Sequence, residues 1–312
     1  MTGQTTTRGF VGYGEFPPDF RWPGDARVAV SLVINVEEGA ERSRARGDSA
    51  DDLGAHWIPA HAVPGARNLT LESAFEYGAR AGIWRLLRIL RHHEVRATAF
   101  CCAAALQLNP GVAAALVRDR HEIADHGQQW DTHTGLSAED EQQLIIQSRD
   151  AITASTGVRP TSWYSRDGLN PHTRQTLAAA GFTYDSNSFN DDVPHWGAGP
   201  NNPRLPVLPY AGDTNDSGLL GLFPTAGAFA GHLAATLDML LADTRSGPSV
   251  MSIGLHPRLI GRPAYAAALG RFLAHAQQNG KAVWFATREE IVNWWLLRTG
   301  GDAGPDPHVS EI

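Results

Sequence analysis

Aspartate, histidine and glycine stand in succession at Asp125-His126-Gly127, where the short apolar lead-in Ile123-Ala124 gives way to Gln128-Gln129-Trp130. An imidazole there can take or give a proton near neutral pH. The glycine lets backbone or substrate approach closely. Glu37, Glu38, Arg166 and His256 likewise sit just past short apolar runs. In a barrel of parallel strands the loops after the strands build the active face, so one pocket collecting these residues is the expectation. A carboxylate and two imidazoles can deprotonate water and protonate a leaving group. The residues expected to do this are Glu37, Glu38, His126 and His256. Substrate contacts are expected from the planar forks of Arg166 and Arg258 and from Trp130, Trp163 and Tyr164, which could stack on a flat ring.

Within that set some choices stay open. Glu37 and Glu38 are adjacent, so on an extended strand end they point apart and one of them faces the pocket. Glu38 is favoured as the base. Asp125 either orients His126, as a carboxylate orients an imidazole, or pairs with a neighbour. Pro257 fixes the chain after His256, and Arg258 and Arg262 either bind substrate or hold that loop.

The elements that must position these groups alternate along the chain. Residues 27–35 are almost continuously apolar, as in a strand buried on both faces of a parallel sheet. Further strands are expected at 96–101, 122–124, 162–164, 250–255 and 282–285. Helices are expected at 83–93, 110–118, 137–155, 171–180, 226–242 and 263–276, with a last one capped by Thr287. The alternation gives a fold class of α/β, a distorted, incomplete barrel of seven or eight strand–helix units in a single domain. Residues 1–26 read as an irregular arm packed on the body through Phe10, Phe16, Phe20 and Trp22. The barrel spans 27–297, with a long polar insertion at 42–80 in which His56, Trp57 and His61 could cover a pocket. Residues 298–312 read as a flexible tail.

Composition narrows the function. The chain has 312 residues, 42% hydrophobic and 19% charged, an ordinary globular make-up. A net charge of -7 argues against nucleic-acid binding, and no run approaches the ~18 apolar residues of a membrane span. The polar N-terminus lacks a signal peptide's apolar core, so the expected location is the cytoplasm. The two cysteines, Cys101 and Cys102, are neighbours on a strand, point apart, and read as small buried residues.

The chain resembles the polysaccharide-deacetylase superfamily, the NodB-homology fold, and within it the cofactor-independent allantoinases. The resemblance covers roughly residues 10–297. It is carried by Asn35-Val-Glu-Glu-Gly-Ala-Glu41, Glu76-Tyr-Gly-Ala-Arg-Ala-Gly-Ile-Trp84, Gly-Gln-Gln-Trp after His126, Tyr184-Asp-Ser-Asn and Ser252-Ile-Gly-Leu-His-Pro-Arg-Leu-Ile-Gly-Arg-Pro263. It implies amide-bond hydrolysis, of N-acetyl groups in one branch and of the hydantoin ring in the other. The metal-dependent branch carries Asp-Asp and His-x-x-x-His; here Glu37-Glu38 and Trp130 stand in those places, and tryptophan ligates no metal. No cofactor is expected. The alternative is one divalent zinc on Glu38, His126 and His133, since a zinc site needs about three protein ligands. Gln128-Gln129 and Ser165 also depart from the allantoinase pattern. The expected function is ring opening of a small cyclic amide or imide such as allantoin. The alternatives are a metal-dependent deacylase of an N-acylated small molecule or amino sugar, or a ligand-binding relative without turnover. The expected partner is a small-molecule substrate, and the resemblance implies a homo-oligomer.

Overall fold

Every residue of Val28–Val36 is buried, and this strand, β1, is the centre of the sheet. The structure is a computed structural model that describes residues 9–15, 17–52, 65–197, 204–210, 212–219, 225–243 and 247–300. The other strands are β2 (Thr98–Cys101), β3 (Glu122–Asp125), β4 (Ser162–Trp163), β5 (Tyr184–Asp185), β6 (His195–Trp196), β7 (Pro206–Val207), β8 (Ser249–Leu255) and β9 (Val283–Phe285). Among the described residues they form one sheet in the order β6-β7-β5-β4-β3-β2-β1-β8, with β9 paired to β1 off this path. Only the β6–β7 pairing is antiparallel. The parallel, curled sheet with helices packed on it is the distorted barrel expected from the alternation.

The helices are α1 (Leu69–Tyr77), α2 (Ile83–His92), α3 (Ala103–Leu108), α4 (Pro110–Arg118), α5 (Ala138–Thr156), α6 (Thr173–Ala179), α7 (Asp216–Leu219), α8 (Ala226–Ala242), α9 (Pro263–Gln278) and α10 (Arg288–Thr299). Local chemistry sets their ends. Ser137 accepts a hydrogen bond from the Asp140 amide at the start of α5, and Gly157, with φ 72°, ends it. Thr287 and Glu290 form a reciprocal capping box on α10. The large core cluster lies between the sheet and helices α2, α3, α4, α8 and α9.

The sheet path ends at β6 on one side and β8 on the other, and the buried side chain of Arg288 bridges from β8 to the segments that follow β5 and β7. Its guanidinium donates to Ser186 Oγ at 3.0 Å, Ser252 Oγ at 2.7 Å, Pro209 O at 2.9 Å and Leu208 O.

Two parts differ from expectation. The insertion at 42–80 is not irregular throughout: residues 69–77 form α1, which runs through one π-helical turn, Gly78–Gly82, into α2. Its buried positions Leu71, Ala74 and Phe75 have helical spacing, but polar neighbours dilute the pattern. In the arm, Phe20 and Trp22 pack beside Trp284 and Trp295, whereas Phe10 is exposed. Phe16, His56, Trp57, His61 and the tail beyond Gly300 lie outside the described residues.

Candidate active site

Glu37, His126 and His256 each occupy the first position after a strand: β1, β3 and β8 respectively. Parallel pairing brings those ends together. Ile34 of β1 is in register with Leu255 of β8, Val36 with Cys101 of β2, and Cys101 with Asp125 of β3. The three side chains therefore meet on the carboxyl-end face of the sheet. Glu37 Oε1 lies 3.2 Å from His126 Nε2 and 3.4 Å from His256 Nε2. Glu37 Oε2 accepts from Arg258 Nη1 at 2.7 Å.

The two imidazoles differ in what holds their other nitrogen. His126 Nδ1 lies 2.7 Å from the carbonyl oxygen of Tyr164. A carbonyl only accepts, so Nδ1 carries a proton there, and Nε2 is the nitrogen that faces Glu37. His256 Nδ1 faces the Asp216 carboxylate at 2.6 Å. Burial alone would lower the His256 pKa, but Glu37 and Asp216 outweigh it and raise it to about 9, so this ring is an imidazolium. Burial would raise the Glu37 carboxyl; His256 and Arg258 instead hold it well below the usual range. Neighbouring titratable groups pushed apart in this way mark distinct acid and base roles.

The chain turns after β1, with the Ala40 amide donating to Glu37 O, and Arg258 Nη1 lies 2.7 Å from Glu37 and 3.6 Å from Glu38. Glu38 Oε1 accepts from the Arg258 backbone amide at 3.0 Å. Burial, reinforced by Glu37 and opposed by Arg258, raises its pKa to about 7. The side chain packs on Gly78, where a Cβ would stand 2.5 Å from Glu38 Oε1. Glu38 thus ties the turn after β8 to the π-helical turn, whereas Glu37 is the carboxylate that meets both imidazoles.

The remaining expected residues divide. Arg258 is buried at the centre, with the rings of Phe75 and Trp130 4.8 Å and 4.9 Å from its Cζ. Arg166 covers the Trp130 ring at 3.7 Å and pairs with Asp52 of the insertion. Tyr164 stacks on Phe100 and lies beside His126. Trp163 is placed elsewhere: alternation along β4 turns it away from Tyr164, into a fully buried cluster with Ile145, Leu177 and Phe182. His133 is placed elsewhere too. Its Nδ1 lies 3.6 Å from Glu141, and its ring packs edge-on against Trp163. Asp125 does not orient His126; its oxygens accept from the Gly127 amide and Ser148 Oγ.

The alternative zinc set does not fit. His133 is turned to Glu141, Trp130 offers no ligand, and a permanent cation, Arg258 Nη1, stands 2.7 Å from Glu37 and 3.6 Å from Glu38. Among the described residues no group of three His, Cys, Asp or Glu side chains is arranged to hold a metal ion. Cys101 and Cys102 are buried thiols whose pKa burial pushes far up, as small core residues should be.

Asp216 was not among the expected residues. It opens the four-residue helix α7 in an Asp-rich loop, and nothing in its sequence spacing ties it to His256. The isolated bridge between Asn215 and Gly254 of β8, with hydrogen bonds from the Gly254 amide to Thr214 O and from Thr214 Oγ1 to Ser252 O, brings the two segments together.

Comparison with known proteins puts the chain among hydrolases acting on carbon–nitrogen bonds. Residues 67–184 match the polysaccharide deacetylase family model. A Schizosaccharomyces pombe relative of the polysaccharide deacetylases is 32% identical over 94% of this chain and 98% of its own length. The chain belongs to the polysaccharide deacetylase family. The structure of a probable polysaccharide deacetylase from Pseudomonas aeruginosa PAO1 is 40% identical, with a TM-score of 0.85 over 93% of this chain and 98% of that one. The structure of PuuE allantoinase is 38% identical, with a TM-score of 0.86 over 93% and 97%. Among the described residues no helix is long and apolar enough to cross a membrane.

Proposed function

We propose that this enzyme opens a small cyclic amide or imide of the hydantoin type, with allantoin as the nearest candidate, by acid–base chemistry on water. One observation carries the reading: Glu37 Oε1 touches two imidazoles whose far nitrogens are held by different partners, a carbonyl and a carboxylate. The His126–Glu37 pair accepts a proton from water as its oxygen attacks the carbonyl carbon. His256, kept cationic by Asp216, gives a proton to the departing nitrogen. Arg258 keeps Glu37 ionised, and Glu38 holds the Arg258 turn in place. Trp130 and Tyr164 offer flat apolar faces to a planar ring, and Arg166 stands at the rim beside Trp130.

Ring opening is favoured over acetamide cleavage on chemical grounds. Without a metal to lower the pKa of water, an activated cyclic imide is the easier target. The likeness to PuuE allantoinase over nearly the whole chain supports the same choice. The family match supports the runner-up, deacylation of an N-acylated small molecule. The proposal includes self-association, as the resemblance implies, and a cytoplasmic location.

The test is a substrate panel of allantoin, hydantoin, succinimide and N-acetylglucosamine, run with chelator and with added zinc. Ring opening that is indifferent to chelator and absent in His126→Ala is the expected result. Deacetylation dependent on zinc, with no ring opening, would overturn the reading.

A further inference from the structure

One hydrolysis leaves the site's protons misplaced. The His126–Glu37 pair gains a proton from water while the oxygen–carbon bond forms. The carbon–nitrogen bond then breaks, and the nitrogen leaves with the proton from His256 Nε2. The carboxyl product carries away the second proton of the water. The pair is then one proton in excess and His256 one short, so neither is ready for another round.

The burial of the site makes exchange with solvent difficult. Glu37 is 1% exposed, His126 2% and His256 5%. Both Nδ1 atoms are engaged, by Tyr164 O and by Asp216, so only the two Nε2 edges can trade protons. Both edges face a single atom, Glu37 Oε1, at 3.2 Å and 3.4 Å. The other carboxylate oxygen is held by Arg258, which keeps Oε1 turned toward the two rings.

We propose that Glu37 Oε1 returns the proton from His126 to His256 between turnovers. The N–H bond at His126 Nε2 breaks as an O–H bond forms on Oε1; that bond then breaks as an N–H bond forms at His256 Nε2. No proton need enter from outside, and the carboxylate is regenerated. The acid and base are reset as a unit, which explains why one carboxylate serves both rings. The inference rests on the hydrolase reading and adds a second role for Glu37 to it.

The test compares the first turnover with later ones. Using whichever of allantoin, hydantoin and succinimide the wild type turns over fastest, the single-turnover rate and kcat are measured for the wild type and for Glu37→Asp. The shorter side chain keeps the charge beside Arg258 and His256 but draws the oxygen back from the rings. Loss of base strength lowers both rates equally; loss of the return path lowers only kcat. The expected ratio of single-turnover rate to kcat is near one in the wild type. In Glu37→Asp it is at least about 10, and imidazole buffer brings it back toward one. A ratio near one in Glu37→Asp would overturn the proposal, as would a wild-type kcat that rises with buffer concentration. The second measurement needs no variant. If the wild type opens none of the rings, the hydrolase reading fails instead, so the two failures are told apart.

Discussion

Asp216 and His256 are 40 residues apart in the chain, yet Asp216 Oδ1 lies 2.6 Å from His256 Nδ1. The pair is held from both sides. Asp216 Oδ2 accepts from the backbone amides of His256 and Ile260 at 2.8 Å and 3.2 Å, so the carboxylate is fixed by the turn that carries its own partner. Helix α7 is short, but it places the group that decides the charge of the ring.

The charge of His256 should be visible in pH profiles. Its folded pKa is raised from the ordinary 6.5 to about 9. A raised basic group contributes stability that is fully present below the unfolded value and is lost as pH rises through the folded one. Stability should therefore fall between about 6.5 and 9, by up to roughly 3 kcal/mol, as followed by urea denaturation at fixed pH values. The alkaline limb of kcat/KM should lie near pH 9, where the site titrates as a coupled group. In Asp216→Asn that limb should move down by at least about one pH unit. An unmoved limb would mean that another group supplies the acid.

Glu37 and Glu38 should respond differently to the same change. Glu37 contacts both imidazoles and Arg258, so Glu37→Gln removes an ion from the centre of the site and should lower kcat at least about 100-fold. Glu38 acts through a backbone hydrogen bond that a glutamine oxygen can also accept. Its raised carboxyl, about 7 against the ordinary 4.5, costs stability as pH rises from 4.5 to 7. Glu38→Gln should therefore lower kcat by less than about 10-fold. It should also be at least as stable as the parent at pH 8, a gain on the order of 1 kcal/mol. Equal losses of kcat in the two variants would refute the division of roles.

Much of this division was not legible in the sequence, for a geometric reason. Strand alternation gives the expectation that one of the adjacent carboxylates faces the pocket unless the chain turns. It does turn after β1: both carboxylates reach Arg258, and one of them, Glu37, meets the imidazoles. Which one does is set by where β1 ends and by the turn at Gly39, with φ 94°, a detail that the residue types do not carry. The placements of Glu37, His126 and His256 at strand ends were legible because apolar runs followed by polar residues mark those ends. Asp216 was not, because its pairing depends on a loop crossing to β8. Helix α1 was missed because polar neighbours dilute the helical spacing of Leu71, Ala74 and Phe75. His133 read as a spare ligand because sequence distance says nothing about Glu141, the residue that claims it.

The aromatic residues give a prediction that separates binding from packing. Trp130 lies between Arg166 and Arg258 at the site, whereas Trp163 is sealed behind the sheet with Leu177 and Phe182. Trp130→Ala should raise KM by about 5- to 10-fold, the scale of a lost ring contact of about 1–1.5 kcal/mol. Trp163→Phe should leave KM unchanged and lower the unfolding free energy by about 1–2 kcal/mol. A KM effect at Trp163 would place substrate on the other face of β4.

Gly78 gives the sharpest structural prediction, because the reason for a glycine there is steric. It lies in the π-helical turn with ordinary right-handed backbone, so conformational freedom is not the requirement. A Cβ at this position would stand 2.5 Å from Glu38 Oε1 and 2.7 Å from both Glu38 Cδ and Cγ. Glu38 is buried and bonded to the Arg258 amide, so it has little room to retreat. In Gly78→Ala the carboxylate must shift, and the Arg258 turn with it. Stability should fall by about 1–3 kcal/mol, the usual cost of overpacking, although alanine is the better helix former. Because Arg258 holds Glu37, kcat should fall as well, while KM changes little. Gly78→Ala/Glu38→Ala removes the clashing carboxylate and should recover part of the lost stability. A thermal melt of the two variants side by side decides it: if the double variant melts no higher than the single one, the contact with Glu38 is not what keeps residue 78 a glycine.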